Sequence, residues 1–66
     1  MKVIYDKDTD TLSVVFASGD VVESDEGTPG IILDYGLGRT LLAVEILDAS
    51  DRMTIPDHVD FEIAAT

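Results

Sequence analysis

Two apolar runs, IILDY and TLLAVEIL, stand on either side of GLGR between residues 31 and 47, and together they leave little alternative to an antiparallel hairpin. Apolar runs this short, punctuated by glycine, fit strands, and glycine supplies the positive φ that a hairpin loop requires. In TLLAVEIL a period of two puts Leu42, Val44 and Ile46 on one face and Leu41, Ala43, Glu45 and Leu47 on the other. Glu45 thus lies among apolar neighbours. On the wet face of an antiparallel sheet that is an ordinary place for a carboxylate.

The same alternation recurs along the chain. KVIY (2–5) and TLSVVFA (11–17) flank DKDTD, whose Asp and Thr side chains favour a turn, so the first 17 residues read as another hairpin. There Leu12, Val14 and Phe16 share a face, opposite Ser13, Val15 and Ala17. SGD turns the chain into VVESDEG, whose charged end suits an edge strand because charge discourages pairing with other chains. TPG closes that segment. After the central hairpin, Asp48 is placed to cap a helix, with Asp51 in its first turn. Pro56 disfavours helical geometry at Ile55, which limits that helix to roughly residues 49–54. HVDFEIA then alternates Val59, Phe61 and Ile63 with Asp60 and Glu62, the pattern of one more half-buried strand.

The expectation is a single domain over residues 1–66: a mainly β fold, a small antiparallel sheet of five or six strands with one short helix after the fifth strand. Its principal apolar face would carry Val3, Tyr5, Leu12, Val14, Phe16, Ile31, Leu33, Leu42, Val44 and Ile46. So little helix covers neither face of such a sheet. A homodimer closing the exposed apolar face is therefore expected, with Val59, Phe61 and Ile63 as contacts.

At 66 residues the chain hides only about 60% of the surface its unfolded form exposes, so its stability should be marginal. It has no cysteine, which excludes disulfides and thiolate metal sites. Fourteen acidic residues against four basic ones give a net charge of −10. Phosphates would be repelled, so nucleic acid is not expected as a direct ligand. A basic protein partner fits better, with Glu23, Asp25 and Glu26 as its candidate contacts. No apolar run approaches a membrane span and the N-terminus shows no leader pattern, which points to a cytoplasmic protein without membrane association.

Among local motifs, DKDTDTL places Asp6, Asp8 and Asp10 at the D-x-D-x-D spacing that opens a calcium loop. The rest of such a loop is missing: its sixth position is Thr11 where glycine is needed, and its twelfth is Ala17 where a bidentate glutamate is needed. A hairpin turn with Asp side chains bonding backbone amides explains the same residues. His58 is the single histidine and cannot assemble a His-based metal site within one chain; none of Ser13, Ser18, Ser24 and Ser50 stands in a nucleophile elbow. GLGRT lacks the lysine of a phosphate loop. Tyr5, Phe16, Tyr35 and Phe61 lack the basic groove of a nucleic-acid stacking platform, leaving packing as their role.

Taken in order, Tyr5, Asp6, Asp10 and Leu12, then Val22-Glu23-Ser24, then Ile31, Leu33, Asp34 and Tyr35, then Gly38-Arg39 and the run from Val44 to Ser50 closed by Arg52 form a recognisable combination. Over roughly residues 1–53 it resembles domain of unknown function family 2283, a family of small bacterial and archaeal proteins. The resemblance implies no catalytic residue or cofactor. It implies gene neighbourhoods that include small basic toxin-like proteins, and with them an antitoxin-like role. The expected function is a non-enzymatic protein-interaction module binding a basic partner; the alternative is a small divalent-metal-binding or hydrolytic protein using Asp6, Asp8 and Asp10.

Overall fold

A computed structural model describes residues 1–65. Five strands form one antiparallel sheet: β1 (Lys2–Asp6), β2 (Thr11–Val15), β3 (Glu23–Thr28), β4 (Ile31–Tyr35) and β5 (Leu41–Ile46). One short helix, α1 (Ala49–Arg52), follows the fifth strand as expected. The spatial order is β1-β2-β5-β4-β3, so the β1–β2 hairpin docks onto the β3-β4-β5 meander through its β2 strand.

Register fixes the faces. Val3 lies opposite Val14 and Tyr5 opposite Leu12, Leu12 and Val14 lie opposite Ile46 and Val44, and these in turn lie opposite Ile31 and Leu33. One face is thereby apolar across four strands. The reverse face mixes Ile4, Ser13, Glu45 and Ile32 in one cross-strand row and Val15, Ala43, Asp34 and Ser24 in the next. This agrees with the face assignment made from period two except at Phe16, which was expected on the apolar face but lies beyond the end of β2 and is 40% exposed.

The turns follow from their residues. Pro29-Gly30 joins β3 to β4, with Gly30 at φ +84°, the conformation for which a Pro-Gly turn recruits glycine. Between β4 and β5 the chain makes a 3-10 turn at Leu37–Arg39, where Gly38 takes φ +69°. The link from β2 to β3 crosses the end of the sheet: the amides of Phe16 and Ala17 both donate to the Leu42 carbonyl, at 2.7 and 3.3 Å. These bonds end β2 at Val15, two residues short of the expected strand. Beyond them, Gly19 and Gly36 lie against the Leu42 side chain, which becomes one of the few buried ones.

Burial is sparse. Among the described residues, Leu12, Leu42 and Ala49 are the only buried apolar side chains, and the molecule measures 35 × 33 × 19 Å, the thickness of one sheet with its side chains. Fully burying a leucine stabilises by about 1.5–3 kcal/mol, so two nearly buried leucines leave the fold dependent on the half-buried remainder of the face.

Three expectations are corrected. Residues 59–65 form no strand, and Val59, Phe61 and Ile63 are 57%, 76% and 83% exposed. Alternation states which side chains would share a face, but a strand also requires a neighbour's row of free amides and carbonyls. This segment instead approaches the apolar face, where Pro56, Val59 and Phe61 with Val3, Tyr5 and Leu12 line an open groove of about 600 Å³. The helix also ends at Arg52 and not at residue 54. Asp48 occupies the N-cap position at φ 51° and ψ 44° and its side chain makes no capping bond, because a side-chain cap requires extended backbone there.

Candidate functional site

The cap of α1 comes from 40 residues away. Asp10 ends the β1–β2 turn at φ 55°. Its carbonyl accepts the Ala49 amide at 2.9 Å, and its carboxylate accepts the Ser50 amide at 3.1 Å and the Ser50 hydroxyl at 2.7 Å. Tyr5 Oη donates to the same carboxylate at 2.6 Å. The Tyr5 hydrogen bond, and after it those of Ser50, holds the Asp10 carboxyl below its usual range, while the same bond to Asp10 raises the Tyr5 phenol. The other end of α1 is tied to the opposite hairpin: Arg52 Nη2 donates to the Pro29 carbonyl at 2.6 Å and Nε to the Leu47 carbonyl at 3.0 Å.

Two of the DKDTD carboxylates are engaged within the fold. Asp6 accepts the Asp8 and Thr9 amides at 2.9 and 3.4 Å, closing its own turn. Asp10 points to Tyr5 and Ser50, and Asp8 is exposed. The three do not converge, and among the described residues no group of three or more His, Cys, Asp or Glu side chains is placed to hold a metal ion. His58 is exposed, and its ring nitrogens lie 2.9 Å from Asp57 and 3.8 Å from Asp60.

The three candidate partner contacts all fall on β3, an edge strand exposed at every residue, but they differ in what holds them. Glu23 pairs with Arg39 at 3.4 Å, and the Arg39 guanidinium also sits 4.5 Å over the Tyr35 ring. Glu26 Oε2 accepts the Gly30 amide at 2.8 Å and so fastens its own hairpin. Among the described residues Asp25 forms no ion pair or side-chain hydrogen bond. A bulge between Asp25 and Thr28 displaces the outer part of the strand.

One polar group escaped the sequence reading. Asp34, at 7% exposure the sole buried charged residue among those described, accepts the Ser24 hydroxyl at 2.7 Å and stands diagonally across from Glu45 on the mixed face. A hydrogen bond with Asp34, then burial, then the Asp34 charge, raise the Glu45 carboxyl. Two carboxyl groups can share such a bond only while one carries a proton. The signal was present in ILDY: period two puts Asp34 on the face of Ile32, which the register joins to that of Glu45.

No helix of the described chain is long and apolar enough to cross a membrane. No curated protein and no solved structure matches the chain. A family model does, over residues 2–50, which runs from the first residue of β1 to the serine that Asp10 holds. The chain therefore belongs to the family described as Protein of unknown function (DUF2283).

Proposed function

We propose that the protein is a non-enzymatic interaction module that receives a basic protein along its β3 edge. The observation that carries this reading is β3 itself: an edge strand with every residue exposed, bearing Glu23, Asp25 and Glu26, in a chain of net charge −10. Such an edge offers carboxylates and an open row of backbone groups to a cationic partner, and charge of this magnitude speeds encounter with one. A small basic toxin is the partner class that gives the module an antitoxin-like role. The metal-dependent reading gains no support, because Asp6 and Asp10 are engaged in separate sets of hydrogen bonds.

The test is co-expression of the tagged protein with the product of its adjacent reading frame, followed by affinity purification in low and high salt. A stoichiometric basic partner, released by salt and lost with Glu23→Lys/Asp25→Lys, is the expected result. Glu26 is left intact because it holds the turn, and circular dichroism checks that the variant stays folded. Binding unchanged by the double reversal would remove β3 from the interface.

A further inference from the structure

The other edge of the sheet is β1, and its chemistry points to a different occupant. It pairs with β2 over Lys2–Asp6 in one unbroken register, without a bulge, and at its centre Ile4 is 46% exposed. Among the described residues no backbone hydrogen bond joins the C-terminal segment to it. Lys2 and Asp6 lie at its two ends on the same face as Ile4. Arg39 is paired with Glu23 and Arg52 donates to carbonyl groups, whereas Lys2 forms no ion pair among the described residues.

We infer that β1 is the contact between two copies of this chain, which pair antiparallel across a two-fold axis at Ile4 into a continuous ten-stranded sheet. Self-complementarity fixes the register. When β1 pairs with its own copy about Ile4, Lys2 faces the partner copy's Asp6, twice by symmetry, Ile4 meets its counterpart on the axis, and Val3 faces Tyr5. All five residues overlap. A shift by one residue would bring the apolar face of one copy level with the mixed face of the other. A shift by two, in either direction, leaves Lys2 or Asp6 opposite isoleucine. In the aligned register the Val3 and Tyr5 rows merge the apolar faces of both copies into one surface, and each exposed edge of the assembly is then a β3. A two-fold contact must be complementary to itself, and a strand with opposite charges at its ends satisfies that condition where the acidic β3 cannot. This contact differs from a face-to-face dimer closed by Val59, Phe61 and Ile63.

The experiment measures mass by sedimentation on the full chain, from low to high micromolar concentration. Twice the 7.1 kDa chain mass is expected. Lys2→Glu sets a carboxylate against Asp6 at both ends of the contact and should weaken the dimer by roughly tenfold or more, given two cross-strand pairs. Because the chain contains no cysteine, Ile4→Cys in a glutathione redox buffer should cross-link into a covalent dimer, while Leu37→Cys, at an 84% exposed loop position, should not. Circular dichroism confirms that each variant is folded. A monomer throughout, equal cross-linking from both positions, or a dimer indifferent to Lys2→Glu but abolished by Phe61→Asp/Ile63→Asp would each overturn the inference, the last in favour of the C-terminal segment.

Discussion

The two edges of this sheet solve the same problem in opposite ways. Each exposes a row of unpaired backbone groups, an invitation to any other strand. On β3 the invitation is restricted by carboxylates along the strand, a bulge after Asp25 and a proline at the turn. On β1 the strand is regular, carries an isoleucine at its centre, and has one charge of each sign at its ends. The contrast teaches that the two edges present different chemistry: carboxylates line β3, whereas β1 sets one charge of each sign around an apolar centre.

The interior differs in the same direction, and that difference can be broken first. Leu12, opposite Tyr5 and Ile46, is 4% exposed, while Leu33 on the β3 side is half-buried. Leu12→Ala should lower stability by about 3 kcal/mol and Leu33→Ala by about 1–2 kcal/mol. Urea unfolding reads both, and equal losses would show that the two sides are packed alike.

Next in size is the tether on the β3 side. A methyl group on Gly30 would run into Arg52 Nη2, and φ +84° strains any L side chain. Gly30→Ala should cost about 2 kcal/mol, from the backbone conformation and the displaced Arg52 bonds together. An unchanged urea midpoint would mean that neither the Gly30 conformation nor the Arg52 contact carries this cost. Smaller still in stability, but most direct for the edges, is Glu23→Thr/Asp25→Thr: a change within about 1 kcal/mol, accompanied by concentration-dependent association beyond that of the unmodified protein. If light scattering finds none, carboxylates are not what protects this edge.

The smallest expected effect is the pH response of the mixed face. The Glu45 carboxyl is raised in the folded protein, so its bond with Asp34 is fully present below about 4.5 and is lost as pH rises through the folded value. Asp10 acts in the reverse sense: its carboxyl is lowered, so its contribution is complete above about 3.8 and disappears as pH falls through the folded value. Melting temperature measured from pH 3 to 8 should therefore peak on the acid side of neutrality. Asp34→Asn should flatten the decline above pH 4.5 by no more than about 5 °C; an unaltered slope would assign the decline to the overall negative charge.

The hairpins, the apolar face and the acidic edge were legible because each depends on neighbours two residues apart or on a turn whose residues state its geometry. What was not legible depended on distance. Nothing near Asp10 announces that its carboxylate caps a helix at Ser50, and the local candidate, Asp48, is left-handed and caps nothing. The D-x-D-x-D spacing drew attention to the right residues for another chemistry. The alternation of Val59, Phe61 and Ile63 was real, but among the described residues no strand pairs with it. Asp34 stood between these cases, visible by parity yet masked by the apolar residues around it.

The two long tethers on α1 bear on the order in which the chain assembles. A helix of four residues cannot nucleate alone; it depends on Asp10, 40 positions back, and on Pro29, 23 back. Both turns must already be in place, so α1 is expected to form after the folding barrier. Contacts made that late govern how long the native state lasts, leaving the speed of reaching it unchanged. In stopped-flow kinetics Ser50→Ala should steepen the loss of native protein and leave the refolding arm where it was. A refolding arm that slowed in parallel would place α1 in the nucleus. With its helix acting as a late latch, a thin, sparsely buried sheet gains persistence from three hydrogen-bonding side chains at one end.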